Sequence, residues 1–269
     1  MWVYLNGEIL DSSEAKISPL DRAFTFGEGV YEVIPSYNKK LFLFSEHLSR
    51  LKSSLEKTFI PFPQELINLE EVLHKLHDMN GFLNQSFYIQ VTRGVQELRS
   101  HQVDSKIDPT IFISSQNLEI NPYRLNPERA GLRARIEEDI RWSRCDIKTT
   151  GLIGNILSLH DPSKERVDEI IFHKDGIINE GSRSNIFFVK DKKVYTPSLE
   201  QNILPGVTRA FIIKLLKEND ISIFEESIPI DFINESDEIW LTSSTKEIQP
   251  VDYINERELP KKNTQSQIW

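Results

Sequence analysis

The chain has 269 residues, and 32 Lys and Arg against 41 Asp and Glu give it a net charge of −9 at pH 7. That length suits one large domain or two of moderate size, and either buries a substantial core. The 39% hydrophobic and 27% charged residues exclude a disordered acidic chain and a membrane protein. The acidic balance argues against nucleic acid or an anionic membrane surface as the main partner.

The cysteine content and the hydropathy pattern of the sequence are typical of a cytoplasmic protein. A single cysteine, Cys145, cannot form an internal disulfide, as is typical of proteins in a reducing cytoplasm. No apolar run approaches the roughly 20 residues that a membrane-spanning helix needs. The N-terminus also lacks the basic flank and apolar stretch of a signal peptide. We therefore expect a cytoplasmic globular protein.

The first half of the chain predicts a mixture of strands and helices. Residues 2–5 and 8–10 form a hairpin through Asn6-Gly7, since both turn positions need a positive φ. Residues 24–34 form a stretch interrupted by glycines that leads into a run of strand-forming residues. Ser45 is a candidate N-cap for a helix that carries Leu48, Leu51 and Leu55 at helical spacing. Three more elements complete this half: a helix over 64–80, and strands at 86–92 and 110–114 on either side of a polar loop.

A domain boundary is expected where Asn121-Pro122 and Asn126-Pro127 interrupt regular structure. We assign residues 1–118 to a smaller N-terminal domain, 119–130 to a linker and 131–269 to a larger C-terminal domain. The elements expected after the linker are a strand at 132–138, a short helix at 152–159, a hairpin through Asp175-Gly176, a helix at 208–219, and strands at 221–225 and 238–242. Without strict βαβ alternation, the predicted fold class is α+β in two domains.

Common catalytic motifs do not occur in the sequence, which has no dinucleotide-binding glycine pattern, no P-loop and no G-x-S-x-G elbow. His74 and His77 lie three residues apart on a predicted helix, but without an evident third ligand we interpret them as solvated histidines. A lone Cys145 is more typical of an inert packed residue than of a nucleophile. The sequence therefore predicts no metal site.

A resemblance to a known family rests on four clusters: FGEGVYE at 26–32, DIRWSRCDIK at 139–148, EGSRSNIF at 180–187 and ILPGVTR at 203–209. In this order and spacing the chain resembles the fold-type IV pyridoxal-phosphate enzymes. That family includes D-amino acid aminotransferases, branched-chain aminotransferases and aminodeoxychorismate lyases. The resemblance extends to about Tyr253, and it implies pyridoxal 5′-phosphate as the cofactor, held between the two domains.

The resemblance also implies roles for individual residues. Lys148 would form the Schiff base and carry the reacting proton, for which its amine must be neutral. Glu180 would lie beside the pyridine nitrogen and keep it protonated, although a surface acid after the hairpin is the alternative. Gly206-Val207-Thr208, at a predicted helix start, would bind the phosphate. The remaining cofactor contacts implied are Arg50, Ser184, Asn185, Leu204, Ser243 and Ser244. The alternatives are an ordinary helix-surface arginine for Arg50 and a simple N-cap for Thr208.

The substrate carboxylate has its own candidate residues. Arg99 and His101 are two apart in an extended segment, so both side chains point the same way and converge on one anion. This pair resembles the carboxylate trap of D-amino acid aminotransferases, of which Tyr31 is the third member. In that family the neighbouring subunit donates the Arg and the His, so the resemblance implies a homodimer. The alternative is a solvated polar loop.

The function implied by the resemblance is transamination of D-alanine with 2-oxoglutarate to pyruvate and D-glutamate, by ping-pong Schiff-base exchange and a 1,3-proton shift. Two alternatives stay open: a branched-chain L-amino acid aminotransferase or aminodeoxychorismate lyase, and a catalytically idle binding protein. Departures from the family pattern lie at Thr150-Gly151, at Asp161-Pro162-Ser163, at Arg183 and after Trp269, where a closing helix is expected in relatives. The first two leave the side-chain preference open.

Overall fold

The structure, a computed structural model, describes residues 1–104, 106–126, 129–255 and 257–259. It divides into two compact units, one of Met1–Glu119 with Ile147–Leu152 and one of Ile120–Asp146 with Ile153–Trp269. The segment Ile147–Leu152 therefore belongs with the first unit, whereas the sequence placed it within 131–269. The question of a closing C-terminal helix falls on positions outside the described residues.

The first unit is built on one sheet of strand order β2-β1-β6-β5-β3-β4. Its elements are β1 (Trp2–Leu5), β2 (Glu8–Asp11), α1 (Arg22–Phe26), β3 (Gly29–Tyr37), β4 (Lys40–Leu41), α2 (Phe44–Lys57), a 3₁₀ turn (Gln64–Asn68), α3 (Leu69–Asn80), β5 (Gln85–Thr92) and β6 (Ile111–Asn117). The hairpin at Asn6-Gly7 is confirmed, with φ of 47° and 101°. Leu51 and Leu55 of α2, together with Leu73 of α3, bury their apolar faces in the core of this unit.

Three sequence expectations in this unit are wrong in detail. Helix α2 begins at Phe44, with Leu43 in the capping position and no side chain bonded there, so Ser45 lies inside the first turn. The predicted helix over 64–80 is a 3₁₀ turn followed by α3. His77 is 1% exposed rather than solvated, and neither of its ring nitrogens has a hydrogen-bond partner among the described residues.

The second unit is built on a sheet of strand order β12-β11-β10-β14-β15-β7-β8-β9-β13, with β16 paired to β15. Its elements are α4 (Pro122–Leu125), β7 (Leu132–Glu138), α5 (Ile153–Leu159), β8 (Glu169–Lys174), β9 (Ile177–Gly181), β10 (Asn185–Lys190), β11 (Lys193–Pro197), α6 (Val207–Glu218), β12 (Ile223–Glu226), β13 (Ile228–Pro229), α7 (Phe232–Glu235), β14 (Glu238–Ser243), β15 (Glu247–Ile254) and β16 (Arg257–Glu258). Strand β7 pairs in parallel with both β8 and β15.

The sequence did not reveal strands β10, β11 and β15. Residues 185–189 of β10 are all buried, so the strand lacks the alternation that marks a half-exposed strand. Asp191 and Lys192 turn β10 into β11 with φ of 50° and 60°. Among the helices of the described residues, none has the length and apolar character needed to cross a membrane.

Candidate active site

Lys148 lies on a short segment that is tied to both β3 and α2 of the first unit. Its carbonyl accepts the Tyr31 amide at 2.9 Å, and its own amide donates to Ser54 Oγ at 3.3 Å. The Lys148 Nζ lies 4.2 Å from the centroid of the Tyr31 ring. Thr150 packs against Gly29, where a Cβ would lie 3.1 Å from the threonine hydroxyl oxygen, so a larger residue would be crowded at this position. The Lys148 backbone is thereby held by two hydrogen bonds, and its amine lies over the Tyr31 ring.

A buried charge cluster lies in the same unit. Arg50 donates to Glu32 through Nε at 2.9 Å and Nη2 at 2.7 Å, and the His47 ring nitrogen lies 3.0 Å from the same carboxylate. Burial alone would raise the pKa of Glu32, but Arg50 and His47 hold that pKa well below its usual range. Arg50 is therefore a buried ion-paired residue, not a helix-surface arginine.

Glu180 lies in strand β9 of the second unit and is 4% exposed. Arg141 Nη1 donates to Glu180 Oε1 at 2.8 Å, while the Leu204 amide and the Asn185 side chain donate to Oε2 at 3.0 and 3.1 Å. Burial raises the pKa of Glu180 to about 7, against the opposing effect of Arg141 and the Leu204 amide. This carboxyl group is therefore buried, oriented and close to its titration point at neutral pH.

Arg141 is itself held in place by a second carboxylate. Its Nε and Nη2 donate to the two oxygens of Asp139 at 2.9 and 2.8 Å, and its guanidinium carbon lies 4.6 Å from the Phe172 ring centroid. Asn179 donates to the same aspartate at 3.0 Å. Sequence reasoning included Asp139 and Arg141 in a cluster but gave them no role. Their only signal was an aspartate two residues before an arginine.

Helix α6 of the second unit begins at Val207, with Gly206 in the capping position and no side chain bonded to the cap. A Cβ on Gly206 would lie 1.9 Å from Asn185 Oδ1, so only glycine fits. Asn185 also donates to the Leu204 carbonyl at 3.0 Å. Because it also donates to Glu180, Asn185 links the segment before helix α6 to the Glu180 carboxylate. First-turn amides without a side-chain cap remain available to bind an anion.

The turn between β9 and β10 is organised by Glu169, a residue that sequence reasoning missed. Ser184 Oγ donates to Glu169 Oε2 at 2.9 Å, and Ser182 donates to Oε1 through its hydroxyl and its amide. Arg183 extends to the surface, where it donates to the Asp168 carbonyl at 2.9 Å. This arginine therefore fits the turn without occupying its interior. The remaining predicted cofactor residues, Ser243 and Ser244, lie half-buried at the end of β14.

The structure brings Arg99 and His101 to one aromatic ring in the first unit. The Arg99 guanidinium carbon lies 4.5 Å from the Phe26 centroid, and the His101 ring lies 5.3 Å from it. Both side chains are exposed, and neither has a hydrogen bond or ion pair within the part of the chain that the structure describes. Tyr31, the third predicted member, contacts the Tyr88 ring at 5.5 Å.

Metal and thiol chemistry find no support among the described residues. No group of three or more His, Cys, Asp or Glu side chains there could hold a metal ion. Cys145 is buried, and burial raises the pKa of its thiol to about 12. The cysteine therefore stays a neutral thiol at physiological pH, in agreement with a packed rather than a nucleophilic role.

The chain belongs to the class IV aminotransferases, because its residues 29–254 match the family described as Amino-transferase class IV. It is therefore a pyridoxal-phosphate-dependent transferase of the fold-type IV architecture. Among curated proteins, the D-alanine aminotransferase of Staphylococcus aureus (strain N315) is 37% identical over 250 residues, which cover 93% of this chain and 87% of that protein.

Two solved structures show the same fold. The branched-chain aminotransferase from the thermophilic archaeon Thermoproteus uzoniensis, solved with norvaline, has a TM-score of 0.88 and 25% identity, and the match covers 100% of this chain and 92% of that one. The branched-chain amino acid aminotransferase from Escherichia coli has a TM-score of 0.85 and 23% identity, with 97% of this chain and 88% of that one covered.

The described residues fit pyridoxal phosphate in both units. The second unit holds a buried carboxyl group at Glu180 and a helix that begins at Val207 with no side-chain cap. The first unit holds Lys148, whose amine lies 4.2 Å from the centroid of the Tyr31 ring. Lysine, acid and anion-binding amides are the three kinds of group that this cofactor requires.

Proposed function

We propose that the enzyme is a D-amino acid transaminase that converts D-alanine and 2-oxoglutarate to pyruvate and D-glutamate. The observation that carries this proposal is the meeting of Arg99 and His101 at Phe26, with both side chains exposed. A guanidinium group and an imidazole side by side supply several donors for one carboxylate. The 37% identity to a D-alanine aminotransferase supports the same substrate class.

Lys148 is the proposed cofactor lysine and proton carrier. Bound pyridoxal phosphate supplies an electron sink for negative charge at the substrate α-carbon. As a neutral amine, Lys148 Nζ removes the α-proton and delivers it to the carbon on the other side of the transferred nitrogen. The backbone bonds from Tyr31 and to Ser54 hold the position from which this side chain extends.

Glu180 is the proposed partner of the pyridine nitrogen, and Arg141 is its positioning residue. With a pKa of about 7, Glu180 shares a proton with a ring nitrogen at little cost near neutral pH. We assign the phosphate to Gly206, Val207 and Thr208. Further proposed cofactor contacts are Arg50, Ser184, Asn185, Leu204, Ser243 and Ser244, with Leu204 against the ring face.

We further propose a homodimer in which Arg99 and His101 are donated to the partner's site, with Tyr31 as the third member of the trap. The exposure of both side chains supports this arrangement, as does that of Leu98, which is 79% exposed beside them. We place the enzyme in the cytoplasm, since its single thiol suits a reducing compartment.

A branched-chain L-amino acid aminotransferase is the second candidate. The observation in its favour is the TM-score of 0.88 to an enzyme solved with norvaline. The two candidates differ in the configuration of the amino acid, so one comparison of enantiomers separates them.

The test is the visible absorbance of the cofactor-loaded protein after addition of D-alanine or L-leucine. We expect D-alanine to convert the yellow cofactor to its aminated form, and L-leucine to leave it unchanged. Conversion by L-leucine alone would favour the second candidate. Arg99→Ala, with the exposed Arg166→Ala as the matched control, then tests the trap. A large rise in KM for D-alanine in the first variant alone supports it, whereas equal KM values contradict it.

A further inference from the structure

Phe26 contacts three basic side chains at the end of helix α1. The guanidinium carbons of Arg22 and Arg99 lie 4.7 and 4.5 Å from its ring centroid, and the His101 ring centroid lies 5.3 Å away. Arg22 is 4% exposed, whereas Arg99 and His101 lie at the surface. The ring thus contacts a buried cation as well as the exposed pair.

In the loop that carries this pair, the backbone carbonyls of residues 98, 100 and 102 accept hydrogen bonds from buried side chains. Gln96, which is 5% exposed, donates through Nε2 to the carbonyls of Leu98 and Gln102 at 3.1 Å each. Arg22 Nη1 donates to the Ser100 carbonyl at 2.7 Å. These bonds hold the backbone on both sides of residues 99 and 101 and leave the two side chains themselves outside.

Helix α1, which carries the Phe26 ring, is held by hydrogen bonds at its N-terminal end. Asp21 caps it by accepting the Ala23 amide at 2.8 Å, and the same aspartate accepts the hydroxyls of Thr92 and Thr110 at 2.9 and 2.7 Å. Gly27 ends the helix with a φ of 69°, a left-handed conformation that favours glycine. The N-terminal end of the helix is therefore bonded to the sheet through Asp21, and its C-terminal end is closed by Gly27.

The charges around the ring explain why an aromatic residue suits this position. Glu28 pairs with Arg22 and, through its other oxygen, with Arg93 at 2.7 Å. Arg99 has no carboxylate partner within the described residues. The face of an aromatic ring attracts a guanidinium group without using its N–H donors. Arg99 is therefore held in place while its donors stay available for an anion.

We propose that Phe26 is a positioning residue for the substrate-carboxylate trap, holding Arg99 and His101 in the geometry that binds one anion, over a loop that Arg22 and Gln96 keep fixed. This inference rests on the proposed function of Arg99 and His101. It assigns Phe26 to anion affinity and not to the proton transfer, because the ring contacts both trap residues.

Three variants test it in the holoenzyme. Phe26→Leu keeps most of the apolar volume but removes the ring face, and Phe26→Tyr keeps the face. Phe24→Leu is the matched control, since Phe24 lies on the same helix and is 78% exposed. The probes are D-alanine turnover and the dissociation constant of propionate, a carboxylate without an amino group, followed by the cofactor absorbance.

We expect Phe26→Leu to raise the propionate dissociation constant and the KM for D-alanine by roughly 3- to 30-fold, the range of a cation–π contact. The kcat and the cofactor spectrum of Phe26→Leu should stay close to those of the wild-type enzyme. Phe26→Tyr and Phe24→Leu should match the wild-type enzyme in every one of these measurements. Unchanged propionate binding in Phe26→Leu overturns the inference. So does an equal loss in Phe24→Leu, or a loss of kcat without a change in KM.

The failure of the proposed function has a different signature. If the wild-type enzyme ignores D-alanine but binds propionate, the substrate assignment is wrong while the propionate comparison still decides the role of Phe26. If the wild-type enzyme does not bind propionate at all, both the trap and this inference are wrong.

Discussion

Arg141 lies 2.8 Å from Glu180 in the second unit, and the two side chains are 6% exposed each. Burial nevertheless raises the pKa of the Glu180 carboxyl group to about 7, although Arg141 lowers it. Arg141 divides its donors between Glu180 and Asp139, so it neutralises each carboxylate only in part. The result is an acid that is oriented by an arginine yet still able to take part in proton sharing.

Loss of the Arg141 charge should move the pH profile of the enzyme. Since Arg141 lowers the pKa of Glu180, Arg141→Gln should raise that pKa above about 7, and the acidic limb of kcat should shift to higher pH. Arg141→Lys keeps the charge and should shift it less. The exposed Arg144→Gln is the matched control. A profile identical to wild type in Arg141→Gln would show that Glu180 does not set this limb.

Lys148 should be indispensable for proton transfer. We expect Lys148→Ala to lower kcat by about 10²- to 10⁴-fold, the usual contribution of a positioned acid–base group. Circular dichroism should show an unchanged fold, because the backbone contacts to Tyr31 and Ser54 remain. Lys75→Ala, an exposed lysine of α3, serves as the control. Turnover in Lys148→Ala equal to that of the control would remove the lysine from the mechanism.

Local patterns in the sequence predicted much of the fold. The Asn6-Gly7 turn needs two positive φ values, and few other residue pairs supply them. Helix α2 shows its buried leucines at helical spacing, although its start does not depend on the capping serine that the sequence suggested. Strand β10 escaped detection because burial on both faces removes the period of two.

Only part of the candidate site could be predicted from the sequence. Lys148 and Glu180 were predicted from the family resemblance, and no local rule distinguishes either residue from other lysines and acids. Arg141 and Glu169 were missed because their partners lie 39 and 15 residues away along the chain, so the contacts exist only in the folded structure. Phe26 was missed for the same reason, since Arg99 approaches its ring only after the loop has folded back.

The Glu32–Arg50 ion pair should stabilise the first unit in a pH-dependent way. Glu32→Gln leaves a buried arginine without its carboxylate, which should cost about 3–5 kcal/mol of unfolding free energy at pH 7. The folded pKa of Glu32 lies below its ordinary value of 4.5, so its contribution is complete above that pH and is lost as the pH falls through the folded value.

Urea unfolding at a series of pH values measures this contribution. The difference between wild type and Glu32→Gln should be largest near pH 7 and should shrink below about pH 4.5. The exposed Glu46→Gln, in the first turn of α2, is the control and should differ little from wild type. A difference that is constant from pH 7 to pH 3 would mean that the loss comes from packing and not from the charge.

His77 should destabilise the protein in mild acid. Both of its ring nitrogens lack a hydrogen-bond partner among the described residues, and burial lowers the pKa of the imidazole below 6.5. As the pH falls below 6.5, the unfolded chain takes up a proton that the folded chain resists, so the free energy of unfolding decreases. His77→Leu should remove this contribution to the pH dependence. It should also stabilise the protein by about 1 kcal/mol at pH 7, because an unsatisfied buried donor is removed.

The exposed His74 on the same helix supplies the matched control. His74→Leu should follow the wild-type dependence of stability on pH between pH 7 and pH 5, while His77→Leu should lose less stability than wild type over that interval. Urea midpoints at four or five pH values separate the two variants, because the two chains share every other titratable group and only the second lacks the buried imidazole. Parallel curves for the two variants would mean that another group causes the acid sensitivity.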